Sequence, residues 1–192
     1  TEFLQRYPQL SIEWMLNDRS ADFLGDNLDC AIRVGVEVDP ATVSVLLAEV
    51  PRSVVASPAL LARFPAVNTP EDLQQFPWIA ISSFYQRHVE LFHDATSATA
   101  RIAITPRLST DSLYVARNTA LTGLGVAAVS SWTVQDDIRE GRLVHLLPEW
   151  QPAALPVHLV YPWSRYYPAR LRRFLELMRQ VMPEVTGMKI GR

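Results

Sequence analysis

The sequence predicts an α/β fold in two lobes, joined by a hinge that the chain crosses twice. Three observations carry that expectation. Short apolar strands alternate with capped helical segments along most of the 192 residues, the pattern that builds layered α/β domains. A stretch of different texture, "SFYQRHVELFHDATSATA", polar and aromatic with poor helical periodicity, interrupts the alternation from Ser83. A last strand and a long amphipathic helix then close the chain and join its N-terminal part in one lobe. The length suffices for two small domains, each with its own core.

The opening "EFLQRY" reads as the last turns of a helix that Pro8 ends. In "QLSIEWMLND", Leu10, Ile12, Trp14 and Leu16 recur at the period of a half-buried strand. "DRSADFLGDNL" supplies Asp18 or Ser20 as a helix cap and Gly25 near the end, and "CAIRVG" is the next strand. Strand, helix and strand in such close succession make a βαβ unit, hence a parallel pair. "VSVLLAEVPRSVVASP" is a long β-branched run in which Pro51 removes a ladder donor and implies a bend or a switch between two strands. "SPALLARF" and "TPEDLQQF" each place proline just after Ser or Thr, the favoured first helical position. "WIAIS" is a short buried strand.

Beyond the aromatic stretch, "RIAITPRLST" returns to strand alternation. "DSLYVARNTALTGLGVAAVSS" reads as a capped helix, a Gly-x-Gly exit and a fully apolar strand. "SWTVQDDIREGRL" is a helix ending at Gly141, and "LVHLL" a strand. The three prolines of "PEWQPAALP" mark a connection, "VHLVYP" is the last strand and "PARLRRFLELMRQVMP" the closing helix. The lobes are accordingly residues 1–80 with 157–192, and residues 81–156. The chain leaves the first near Ile79 to Ser83 and returns near Leu155 to Leu159.

Composition excludes several classes. At 48% hydrophobic and 20% charged the chain is not disordered. A net charge of -2 offers no attraction to a polyanion, so its overall field does not suit DNA. The longest uncharged stretch, Asn118 to Gln135, is too interrupted by polar residues to span a membrane. The first ten residues, with Glu2 and Arg6, contain no apolar run of a secretory signal. The lone Cys30 reads as a small buried hydrophobe in a reducing compartment, which fits the cytoplasm.

No catalytic constellation emerges. His88 and His93 stand five apart, where a zinc-binding helix needs four. "GLG" at Gly123 to Gly125 lies between a helix and a strand, the reverse of a dinucleotide fingerprint, and reads as a helix exit. No serine stands in a nucleophile elbow. Asp136-Asp137 and Glu71-Asp72 read as solvated faces or first-turn acids. The arginines of the closing helix lie opposite an apolar stripe and read as its outer face. What remains is a set of polar strand ends and helix starts: Arg33 to Gly35, Ser82-Ser83, Thr110-Asp111-Ser112 and Ser130-Ser131. Hydroxyls and free amides suit a small polar or anionic ligand. Arg33 could grip a carboxylate or pair with a nearby acid, and Asp111 and Ser112 could equally be helix caps. Trp14, Trp78, Phe84, Tyr85 and Trp132 could line a pocket for an aromatic metabolite or pack in the core.

In order and at matching separations, "FLQRYPQLSIEWMLNDRSADFLGDNLDCAIRVG", "LLAEVPRSVVASPALLARF", "TPEDLQQFPWI", "ALTGLGVAAVSSWTVQDDIREGRLVHLLPEW" and "VYPWSRYYPARLRRFLELM" resemble the effector-binding domain of LysR-type transcriptional regulators. The resemblance covers nearly the whole chain. It implies two Rossmann-like lobes joined by a two-strand hinge, like the type 2 periplasmic binding proteins, with a small-molecule effector between them. By position it assigns that site to Arg33, Gly35, Ser82, Ser83, Thr110, Asp111 and Ser130. It implies self-association into dimers or tetramers, DNA contact only through an N-terminal winged helix-turn-helix outside this sequence, and no catalysis, metal or cofactor. The family's domain opens with a strand and a helix start that precede the first residue here, so the sequence reads as a fragment of that domain. Two other readings compete. A free-standing periplasmic-type solute receptor needs a secretory signal upstream, and an enzyme reusing the fold needs an acid, base or nucleophile in the site.

Overall fold

The computed structural model describes residues 1–16, 22–23, 25–35, 40–82, 84–85, 87–185 and 188. The first helix, α1 (Glu2–Arg6), ends just before Pro8. β1 (Ala31–Val34) comes from "CAIRVG". β2 (Thr42–Val50) and β3 (Arg52–Ala56) are parted by Pro51 alone, whose missing N–H ends one ladder before the next begins. Ser57 Oγ accepts the Leu60 N–H and opens α2 (Pro58–Leu61). Pro70–Gln75 is a 3-10 helix stapled at its start, where Asp72 accepts the N–H groups of Asn68 and Thr69 at 2.9 and 2.8 Å. β4 (Trp78–Ile81) is buried throughout.

The aromatic stretch is a hairpin of β5 (His88–His93) and β6 (Thr99–Ala103), in which Val89, Leu91, Ala100 and Ile102 point inward and their neighbours outward. β7 (Pro106–Thr110) leads to α3 (Leu113–Leu121), capped by Ser112 Oγ on the Val115 N–H. Gly123, at φ +75°, turns the chain out of α3. Gly125 lies so near Pro77 that a Cβ would come within 2.8 Å of its carbonyl oxygen. β8 (Val126–Ser130) and α4 (Ser131–Arg139) follow. β9 (Val144–His145), β10 (Trp150–Pro152), β11 (Leu155–Pro162) and α5 (Ala169–Val181) complete the chain. The stretch expected to be a plain connection thus holds a short strand, β10, which pairs with β5.

Internal contacts divide the chain into Thr1–Glu49 with Pro156–Arg192, and Val50–Leu155. The outward boundary therefore lies at Glu49–Val50 and not at residues 80–81. The reason is strand pairing: β3 joins β8 and β9, and β4 joins β7 and β8, so residues 50–80 are built into the second unit.

Unit 1 contains a three-stranded sheet in the order β1-β11-β2, with Ala31 to Val34 antiparallel to Val157 to Val160. Leu171 and Leu175 of α5 pack on Leu47, Leu159 and Tyr161, which is why the apolar stripe of that helix faces inward. Two expectations fail here. Residues 10–16 form no strand, and β1 pairs antiparallel with β11, not parallel with an earlier strand. Alternation makes a strand only where a ladder partner exists; without one, Trp14 is 64% and Leu16 90% exposed. The expected caps Asp18 and Ser20 lie outside the described residues.

Unit 2 contains a five-stranded sheet in the order β7-β4-β8-β3-β9. Its β7, β4 and β8 run parallel, with α3 crossing over β4, while β3 pairs antiparallel with both β8 and β9. The βαβ crossover is therefore in this unit. A second sheet, β10-β5-β6, is antiparallel. Fully buried Trp78 anchors the core, its Nε1 donating to the Leu73 carbonyl at 3.0 Å. Asp137, expected on a solvated face, is instead fully buried. It accepts from Arg117 Nε and Nη2 at 2.5 and 2.8 Å, and Arg142 Nη2 lies 2.7 Å away. Asp136 remains outside, paired with Arg139.

Candidate functional site

Parallel strands send their C-terminal ends to the same edge of a sheet, where open α/β folds bind ligands. In unit 2 the register sets Ile81 beside Thr110 and Ile79 beside Ala127, so Ser82, Thr110 and Ser130 reach that edge together. The Ser82 N–H donates to the Thr110 carbonyl at 2.9 Å. Ser82 and Asp111 are exposed, Thr110 is half-buried and Ser130 is buried. Part of the hydroxyl set is already engaged. Thr110 Oγ1 accepts the Ser112 N–H, Ser112 caps α3, and Ser131 Oγ shares a 2.8 Å hydrogen bond with Ser53 Oγ. Ser83 lies outside the described residues.

Arg33 and Gly35 belong to unit 1 and are described with it. Gly35 sits at φ +114°, a backbone region that favours glycine, and its N–H donates to the Pro156 carbonyl at 2.9 Å. Half-buried Arg33 stands beside His158 in the ladder and makes a further interaction of its own. It lines a cavity of about 450 Å³ with Trp14, Cys30 and Phe174. Burial, with Asp29 adding to it, pushes the Cys30 thiol up to about 11, so its thiolate is scarce near neutral pH.

One residue at the site escaped sequence reasoning. Arg52 opens β3 opposite Ser130 and is nine-tenths buried. Its Nε donates to the Ala153 carbonyl at 2.8 Å, and its guanidinium lies 6.0 and 5.7 Å from the ring centroids of Phe84 and Tyr85. Among the described residues no carboxylate pairs with it. Burial disfavours its charge and lowers its pKa, and contact with the Tyr85 hydroxyl offsets part of that effect. Burial likewise pushes Tyr85 up, with Arg52 opposing. Among the described residues the buried Tyr85 hydroxyl makes no well-formed hydrogen bond. Ring contacts of this kind contribute about 0.5–2 kcal/mol but bring no negative charge. The available signal was the arginine itself, placed just after proline at the head of an apolar run.

The other singled-out side chains go elsewhere. Trp78 is core, and exposed Trp132 meets Tyr114 edge-on at 6.4 Å. His93 Nδ1 accepts the N–H groups of Ala95 and Thr96 in the hairpin turn, and His88 is exposed on the same strand. Among the described residues, no group of three His, Cys, Asp or Glu is placed to hold a metal ion, and no helix is long and apolar enough to cross a membrane.

Comparison with known proteins agrees over nearly the whole chain. The family model for the LysR substrate binding domain matches residues 1–183. The chain is 30% identical over 178 residues to the HTH-type transcriptional regulator PtxR of Pseudomonas aeruginosa, covering 93% of this chain and 57% of that protein. It is 31% identical over 186 residues to the HTH-type transcriptional regulator DmlR of Escherichia coli, covering 93% and 58%. The chain thus spans less than two thirds of the length of these relatives. Among solved structures, the regulatory domain of CrgA, a LysR-type transcriptional regulator from Neisseria meningitidis, superposes with a TM-score of 0.73 at 26% identity. That match covers 93% of this chain and 87% of that one.

Proposed function

The chain belongs to the LysR substrate binding domain family, and from that premise we propose that it is the small-molecule sensor of a DNA-binding transcriptional regulator. Its fold is that of the LysR-type regulatory domains, which are built like type 2 periplasmic binding proteins. The effector binds between the two lobes, in contact with Arg33, Gly35, Ser82, Ser83, Thr110, Asp111 and Ser130. Its binding alters how copies of the protein are arranged and how DNA is bent. DNA is met by a winged helix-turn-helix elsewhere in the whole protein, which works in the cytoplasm as a dimer or tetramer and catalyses nothing. The observation that supports this reading best is the convergence of Ser82, Thr110 and Ser130 on one end of the parallel strands. A ligand there acts by binding one conformation better than another.

A thermal-shift screen of metabolites on the whole protein tests the proposal. A stabilising metabolite that also changes promoter occupancy is the expected result. For an acidic effector, Arg33→Ala weakens binding about tenfold, as loss of a charge-assisted contact does, and leaves the fold intact. Unchanged affinity by calorimetry removes Arg33 from the site, and a stabilising ligand without effect on DNA removes the sensor role.

A further inference from the structure

We propose that Arg52 and the Tyr85 hydroxyl form an anion-binding point within unit 2, and that its ligand is a small monocarboxylate. The inference rests on the effector-sensing role, since it names the chemical class of the effector.

The charge at Arg52 is unbalanced. A guanidinium nine-tenths removed from water ordinarily has a carboxylate or phosphate against it. Arg52 has a peptide carbonyl on Nε and the rings of Phe84 and Tyr85 nearby, all of them neutral. Tyr85 is similarly buried, and its hydroxyl, though in contact with Arg52, makes no well-formed hydrogen bond among the described residues, which is rare for a buried polar atom. The two deficits are complementary: a carboxylate accepts from both an N–H of the guanidinium and the phenolic O–H.

Their place in the fold agrees. Arg52 stands opposite Ser130 at the sheet edge where the parallel strands end, and Tyr85 follows the exit of β4 at the same edge. The Ser53–Ser131 hydroxyl pair adjoins both strands. Charge count then selects the ligand. One cation neutralises a monoanion, whereas a dianion would leave a buried net negative charge. Half-exposed Phe84 gives the organic body of the ligand an apolar surface.

Titration calorimetry on the full chain with sodium acetate, sodium benzoate and sodium succinate, at constant ionic strength, tests the assignment. A monocarboxylate is expected to bind saturably and more tightly than succinate. Arg52→Gln is expected to weaken it at least about tenfold. Tyr85→Phe removes only a hydroxyl and keeps the ring in the core, so it should fold and bind about three- to tenfold more weakly. That pairing keeps the assignment open to refutation even if Arg52→Gln fails to fold. Absence of monocarboxylate binding, preference for succinate, or unchanged affinity in Tyr85→Phe overturns it. Monocarboxylate binding that depends on Arg52 but leaves promoter DNA unaffected keeps this site and removes the sensor role. A metabolite acting on DNA equally through the parent and Arg52→Gln keeps the sensor role and removes this site.

Discussion

His145 is half-buried on the two-residue edge strand β9, and its Nε2 has no hydrogen-bond partner among the described residues. Burial lowers its pKa below the ordinary value, and Glu149 opposes that shift. The unfolded chain takes up the proton near pH 6.5, whereas the folded one resists until lower pH. Stability is therefore fully present above that value and falls as pH drops toward the folded pKa. The urea midpoint should be lower at about pH 5.5 than at about pH 7.5, and His145→Gln should narrow the gap. An equal gap in the variant would assign the pH dependence to other groups. The same burial explains why single residues were the least legible level of the sequence. Arg52 and Asp137 are charged in the sequence and buried in the fold, and nothing adjacent to either along the chain announces it. Gly123, by contrast, was legible, because a turn leaving a helix needs a residue tolerant of positive φ.

Helices α3 and α4 are joined by that hidden acid. Arg117 comes from α3, Arg142 follows α4, and both converge on Asp137 with its oxygens out of water. Asp137→Ala removes the shared acceptor and should cost about 3 kcal/mol, the range for breaking a buried ion pair. Asp136→Ala, one residue away and exposed, should cost under about 0.5 kcal/mol. Equal urea midpoints for the two variants would show that the triad contributes nothing. At this scale legibility followed chemistry that is local. Ser57, Asp72 and Ser112 place helix starts through bonds to amides three or four residues away. The β5–β6 hairpin was hidden because its outward positions carry His, Glu, Thr and Arg, a surface that resembles a loop until the paired strand is known. Residues 10–16 erred the other way, since perfect alternation exists there without a partner strand to complete a ladder.

The two units differ in how much they bury. Unit 2 packs β3, β4 and β8 around Trp78, Leu60, Leu73 and Ile79, all sealed from water. Unit 1 relies on a few residues, Leu47, Leu159, Tyr161, Leu171 and Leu175, beneath one helix. Local stability follows buried apolar contact, so amides of β1 and α5 should exchange with deuterium well before those of β4 and β8. Equal protection in both units would contradict that order. The sequence by itself determined the α/β class, most helix starts, the Pro51 break and the family, because each follows from neighbours along the chain or from their order. Only the tertiary structure decided where one unit ends, which strands run parallel, that Asp137 is interior and that Arg52 is buried opposite Ser130. Those depend on residues far apart in sequence, and burial comes from such encounters rather than from the identity of any one side chain.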